Sequence, residues 1–159
     1  MELQGSTRAT GCRFAIVVSR FNAGITEGLL HGARAALAEA GVDSGDVTVV
    51  RVPGAFEIPF AARRLAKTGR FDAVVCLGCL IKGDTMHFEY IASAVSHGIM
   101  AAAAETGVPV TFGVLTTLTE EQAAARAADD ADNKGREAAA AAVDMATLGR
   151  CLDEGGHDD

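Results

Sequence analysis

Along the chain the spacing of apolar residues switches repeatedly between the strand period of 2 and the helix period of 3.6, with glycine or proline at the switches. Phe14 to Val18 (FAIVV) is a short β-branched run, too short for a helix, and predicts a buried strand. From Asn22 to Gly41 the pattern changes: Ile25, Leu29, Leu30, Ala33 and Leu37 share one helical stripe, and Gly41 stands where a helix is capped. Val47 to Val52 (VTVVRV) predicts a second strand, halted by Pro53-Gly54. The segment AFEIPFAARRLAKTG reads as a helix that tolerates Pro59 only within its first turn. Ala73 to Ile81 predicts a third strand, and His87 to Thr106 a third helix with Ile91, Val95, Ile99 and Ala102 inward. Pro109 to Thr117 is the fourth strand. Thr119-Glu120-Glu121-Gln122 then has the cap and early acids of a helix start. A break at Asp129 to Gly135 precedes a last helix through Ala138 to Ala142.

The order βαβαβαβαα implies crossover connections and hence parallel neighbours covered by helices on both faces. The expected class is α/β: a three-layer αβα sandwich around a four-stranded, mostly parallel, flavodoxin-like sheet. Residues 1–150 form a single domain in this reading. The remainder, 151–159 (CLDEGGHDD), lacks a core-forming pattern and is expected to be a disordered acidic tail.

Charge narrows the classes of partner. A formal net charge of −7 over 159 residues argues against nonspecific attraction to nucleic acid or anionic lipid. No apolar run reaches the ~20 residues of a membrane span, and MELQGSTRATG lacks the pattern of a secretory signal, so a cytoplasmic location is expected. Cys76 and Cys79 have Cys-x-x-Cys spacing, but within a β-type run positions i and i+3 point to opposite faces. Two such thiols cannot share a zinc ion or a disulfide, and they read as small buried hydrophobes.

The chemistry is expected at the loops that leave the carboxyl ends of the strands. Gly78 to Thr85 (GCLIKGDT), running from the end of the third strand into the third loop, Lys82 to His87, nearly spells a P-loop, except that Asp84 occupies the position of the phosphate-binding lysine. A triphosphate is therefore rejected, leaving a smaller phosphate held by the amides of Asp84, Thr85 and Met86 at the start of a helix, with Gly83 supplying conformational freedom, or else a helix start capped by Asp84 and Thr85 with no ligand. Cys76 and Lys82 also have the spacing of the tyrosine-phosphatase loop. Lysine lacks the arginine fork, however, and the cysteine would be buried. His87 lies in the first turn of the same helix, placed for proton transfer. Phe21 and Phe56 are aromatic residues in loops that converge on this sheet edge, suited to a flat ring or else to closing the core. Glu57 beside them could accept hydrogen bonds from a ligand N–H pair.

Taken together, Arg20-Phe21-Asn22, Val52-Pro-Gly-Ala-Phe-Glu-Ile-Pro59, Leu77-Gly-x3-Lys82-Gly-x-Thr85-x-His87-Phe88, Phe112-Gly-Val-Leu-Thr-Thr117, Glu121-Gln122 and Asn133-Lys134-Gly135 resemble the 6,7-dimethyl-8-ribityllumazine synthases of riboflavin biosynthesis. The resemblance runs from about Gly11 to Arg150. It implies condensation of 5-amino-6-(D-ribitylamino)uracil with 3,4-dihydroxy-2-butanone 4-phosphate, releasing phosphate and water, with no metal or organic cofactor. Carried over by position, it implies that Phe21 stacks on the pyrimidine and that Asn22 belongs to the same pocket. Ala55, Phe56, Glu57, Cys79, Leu80 and Ile81 would bind the ribitylaminouracil, and Asp84 and Thr85 would contact the phosphate. His87 would transfer protons, Arg126 would supply the cation missing from the bend, Lys134 would lie near the phosphate, and Phe112 would come from a neighbouring subunit. It also implies a homopentamer, in some members twelve pentamers closed into a 60-mer shell, with small-molecule substrates as the only other partners.

Met86 departs from the small residue or proline often found before the histidine, and Asp130 and Asp132 stand where shell-forming members often carry lysine and glycine. Pentamer and shell both remain open. A flavodoxin-like binding module without chemistry, or a shell protein with weak catalysis, are the alternatives.

Overall fold

A computed structural model of the chain describes residues 1–155; residues 156–159, which fall in the expected acidic tail, lie outside the described residues. Four strands, β1 (Phe14–Ser19), β2 (Val47–Val52), β3 (Ala73–Ile81) and β4 (Val110–Thr117), form one sheet in the order β2-β1-β3-β4. Each pairing is parallel, with Phe14 opposite both Val47 and Ala73 and with Val74 opposite Val110. The expected mostly parallel sheet is thus wholly parallel.

Five helices cover it: α1 (Ala23–Glu39), α2 (Ile58–Ala66), α3 (His87–Thr106), α4 (Glu120–Arg126) and α5 (Lys134–Glu154). One apolar layer joins Phe14, Ile16 and Val18 of β1 to Leu29, Leu30 and Leu37 of α1, Ala123 of α4 and Ala139 and Ala142 of α5. The other joins Ala15 and Val17 to Ile58 and Ala62 of α2 and Val95 and Ile99 of α3. The alternation along β1 therefore separates the two cores, and the sandwich has three layers. Every residue of β1 is buried, which is why its sequence reads as one unbroken apolar run.

Local chemistry sets the element ends. Pro59 sits in the first turn of α2, where its missing N–H costs nothing, after a 3-10 turn over Ala55–Glu57. Gly41 (φ 85°) and Gly107 (φ 71°) take the left-handed conformation just past α1 and α3. At α4 the Thr119 hydroxyl accepts from the Gln122 N–H at 3.1 Å, and the Gln122 side chain accepts from the Leu118 N–H at 2.9 Å.

Helix α5 runs on through Cys151 to Glu154, beyond the domain end read from the sequence. Those four residues are exposed, so they carry no apolar stripe to announce a helix. Cys76 lies in the core under α2 and α3, Cys79 in the core under α1 and α5, as strand alternation requires. None of the described helices is long and apolar enough to cross a membrane.

Candidate active site

The carboxyl ends of β1, β2 and β3 release three loops around a cleft of ≈ 570 Å³. Its walls include Phe21, Asn22, Ala55, Phe56, Glu57, Cys79, Leu80, Ile81, Thr85 and His87, so most of the residues expected to form the site converge there. The loops are fastened to each other. Arg20 N–H donates to Val52 O at 2.8 Å and Phe21 N–H to Pro53 O at 3.1 Å, which locks the first loop to the second. Asn22 has φ 60° and ψ 47°, a left-handed conformation that asparagine tolerates better than most residues, and its Nδ2 donates to Cys79 O at 3.1 Å. Asn22 thereby ties the first loop to the end of β3.

Phe21 is 68% exposed and Phe56 60% exposed. Rings closing the core would be sealed, so these two line the mouth of the cleft instead. Cys79 is on the floor, and burial, with a smaller contribution from Glu120, pushes its thiol up to about 11. It is a neutral, unreactive wall at physiological pH.

The bend between β3 and α3 supplies Gly83, Thr85 and His87 to the cleft. Among the described residues the backbone N–H groups of Asp84, Thr85 and Met86 donate to no protein acceptor, and His87 N–H has only a long 3.4 Å contact with Thr85 Oγ1. These donors lie at the positive end of a 20-residue helix, an arrangement suited to an anion. One expectation about the bend needs correcting. Gly83 does not adopt a left-handed conformation, and a Cβ added to it would meet nothing within 4 Å, so the chain's own backbone does not demand glycine there. Gly78 pairs with Val114 inside β3, as the predicted strand from Ala73 to Ile81 requires, with Ile58 Cδ1 only 3.0 Å from where a Cβ would stand. The resemblance to a P-loop therefore spans a strand and cannot form a triphosphate cradle.

Phe112, Arg126 and Lys134 are not in the cleft. They line a separate groove of ≈ 310 Å³ along the free edge of β4, together with Glu137 of α5. Within the chain the Arg126 guanidinium donates to Gln122 O at 3.0 Å and Lys134 pairs with Glu137 at 2.7 Å. Asp84 is exposed and lines neither cavity. The cation that the sequence reading assigned to the bend thus faces a different surface of the same chain.

A third hollow of ≈ 920 Å³ under the N-terminal arm is larger than both. Arg136 there grips Glu39 at 2.7 and 2.9 Å, and alanines form much of the wall. Among the described residues no cluster of three His, Cys, Asp or Glu side chains is placed to hold a metal ion.

Sequence reasoning missed what positions the groove. Asn133 is 1% exposed, and its amide donates to Gly28 O (3.1 Å) and Ala128 O (2.9 Å) while its oxygen caps α5 at Arg136 N–H (3.0 Å). A Cβ on Gly32 would stand 2.1 Å from Asn133 Oδ1, and one on Gly135 1.9 Å from Leu29 O. The Gly28-x3-Gly32 spacing was the signal available, because small residues four apart let another backbone approach a helix.

The sequence model for 6,7-dimethyl-8-ribityllumazine synthase matches residues 11–150. A protein from Salinibacter ruber (strain DSM 13855 / M31) named 6,7-dimethyl-8-ribityllumazine synthase is 53% identical over 146 residues, covering 92% of this chain and 94% of that one. With this match running through every loop of the cleft, the chain belongs to the 6,7-dimethyl-8-ribityllumazine synthase family.

Proposed function

We propose that the chain carries out its family's condensation in the cleft at the carboxyl ends of β1 to β3, and that a second copy completes this cleft with Phe112, Arg126 and Lys134. The ribitylaminouracil ring stacks on Phe21, with Phe56, Glu57 and the strand end Cys79 to Ile81 around it. The butanone phosphate seats its phosphoryl group on the amides of Asp84 to Met86 beside the Thr85 hydroxyl. The 5-amino group then attacks the ketone and water leaves to give an imine. Phosphate departs by elimination, and the ribitylamino nitrogen closes the ring with loss of a second water. His87, within the first turn above the bend, moves protons between these steps. Such acid–base help contributes about 10²- to 10⁴-fold, and holding two substrates in register about 7–11 kcal/mol.

The observation that carries this reading is complementarity between two incomplete half-sites. The bend offers amides and an imidazole, but its side chains are one cation, Lys82, against two anions, Asp84 and Glu89. A phosphate dianion needs more positive charge than that. The groove offers the Arg126 guanidinium, the Lys134 ammonium paired with Glu137, and a ring, with Phe112 46% exposed on an edge strand.

Mixing two inactive variants tests it. His87→Ala spoils the cleft and Arg126→Ala spoils the groove. If each site joins the cleft of one copy to the groove of another, co-assembly in equal amounts restores roughly a quarter of the sites, read by lumazine fluorescence. No recovery after verified subunit exchange would place both residues in one chain's site and refute the two-copy reading.

A further inference from the structure

Two residues next to the bend have no part in that mechanism. Lys82 follows β3, and its backbone N–H donates to Thr117 O at 2.9 Å, fixing it to the end of β4. Glu89 is the third residue of α3. Lys82 Nζ lies 3.2 Å from Glu89 Oε1, so one ion pair spans the entire bend from Gly83 to His87. Inside that span the fastenings are slight: the long His87 N–H contact at 3.4 Å, the Met86 carbonyl accepting from Tyr90 N–H at 3.3 Å, and open space around Gly83. The other Glu89 oxygen, Oε2, is sealed from solvent with no hydrogen-bond partner among the described residues. A carboxylate serving only solubility would turn that oxygen to water. We infer that Lys82 and Glu89 form a brace that sets the separation of β3 and α3, and so aims the bend's amides and the His87 ring at the phosphorylated ketone.

This inference rests on the reading that the bend holds the substrate phosphate. The brace makes Lys82 and Glu89 positioning residues, and the alternative is that they act only by their charges. The two differ in sign. As a brace, removal of either end loosens the bend, so Lys82→Met and Glu89→Gln shift the same property in the same direction. Acting by charge alone, loss of the lysine would weaken phosphate binding and loss of the glutamate would strengthen it.

The test measures KM for each substrate, kcat, and inhibition by inorganic phosphate in the assembled enzyme. Both single variants are expected to raise KM for the phosphorylated ketone and the phosphate Ki by about tenfold, because small misplacements of substrate-holding groups have effects of that order or larger. The double variant should be no worse than either single, since one interaction is lost once. Lys82→Arg should stay near wild type. KM for the pyrimidine and Tm should hardly move, because the pair is partly solvent-exposed, at 48% and 38%, and adds little to global stability. Opposite shifts for Lys82→Met and Glu89→Gln, or a Tm that falls with activity, would overturn the brace. Phosphate that fails to compete with the phosphorylated ketone would overturn the location of the anion, and the brace with it.

Discussion

Replacing Asn133 with alanine removes three hydrogen bonds from one fully buried side chain at the joint between α4 and α5. Gly28 O and Ala128 O each lose a buried amide donor, worth about 1 kcal/mol apiece. Arg136 N–H loses its cap, another contribution of about 1 kcal/mol. The expected destabilisation is therefore about 3 kcal/mol, and at this chain length each kcal/mol moves Tm by about 2–4 °C. Serine separates the contributions, because its hydroxyl can cap the helix but is too short to reach the carbonyls of Gly28 and Ala128. Asn133→Ser should cost about 2 kcal/mol. Denaturant unfolding at one fixed protein concentration checks both values, since any self-association would add to apparent stability. Lys134 is the next residue and lines the groove with Arg126, so turnover should fall as well. An alanine variant within 1 kcal/mol of wild type, or a serine variant that recovers everything, would refute the assignment of Asn133 as the joint's anchor.

Other expectations follow from the same geometry. Acid should weaken the fold: Glu27 and Glu39 are held below the ordinary carboxylate range chiefly by hydrogen bonds from Arg51 and Arg136. Depressed folded-state values mean that this stability is present above about pH 4.5 and lost as pH falls further, which Tm across pH 3 to 6 would reveal. Iodoacetamide at pH 8 should label Cys151 alone in the native protein, because Cys12, Cys76 and Cys79 are buried and burial drives all three thiols up. More than one label per chain by mass would contradict that. Gly83→Ala should leave Tm unchanged, given the open space around that Cα, yet raise KM for the phosphorylated ketone if the ligand lies against the backbone there.

Strands and most helix limits were legible because burial imposes its period on the sequence: β1 and β3 are enclosed on both faces and read as continuous apolar runs. The exposed last turn of α5 was not, since helix propensity without burial leaves no stripe. In the site, the loop positions of Phe21, Phe56 and His87 could be read from strand ends alone. The outward direction of Arg126 could not, because it depends on how α4 packs between α1 and the end of β4. Gly83 was read as a conformational need, whereas the backbone shows none, and the reason for glycine shifts to what approaches it.

The separation of cleft from groove also constrains assembly. Phe112, Arg126 and Lys134 line the free edge of β4, while the cleft opens where the loops after β1, β2 and β3 meet. A contact between them joins two different patches, and a contact between unlike patches repeats from copy to copy until a ring closes. A two-fold pair would have to place both patches of both chains across one axis. A ring needs only one cleft-to-groove contact per neighbour. Native mass spectrometry is therefore expected to show five copies, or a multiple of five, as in the family the chain resembles. Arg126→Ala should keep that number, because it trims a side chain already half-satisfied by Gln122 O rather than the apolar edge around Phe112. An active species that stays monomeric or dimeric at assay concentration would show that no ring is needed, and the groove residues would lose their place in the mechanism.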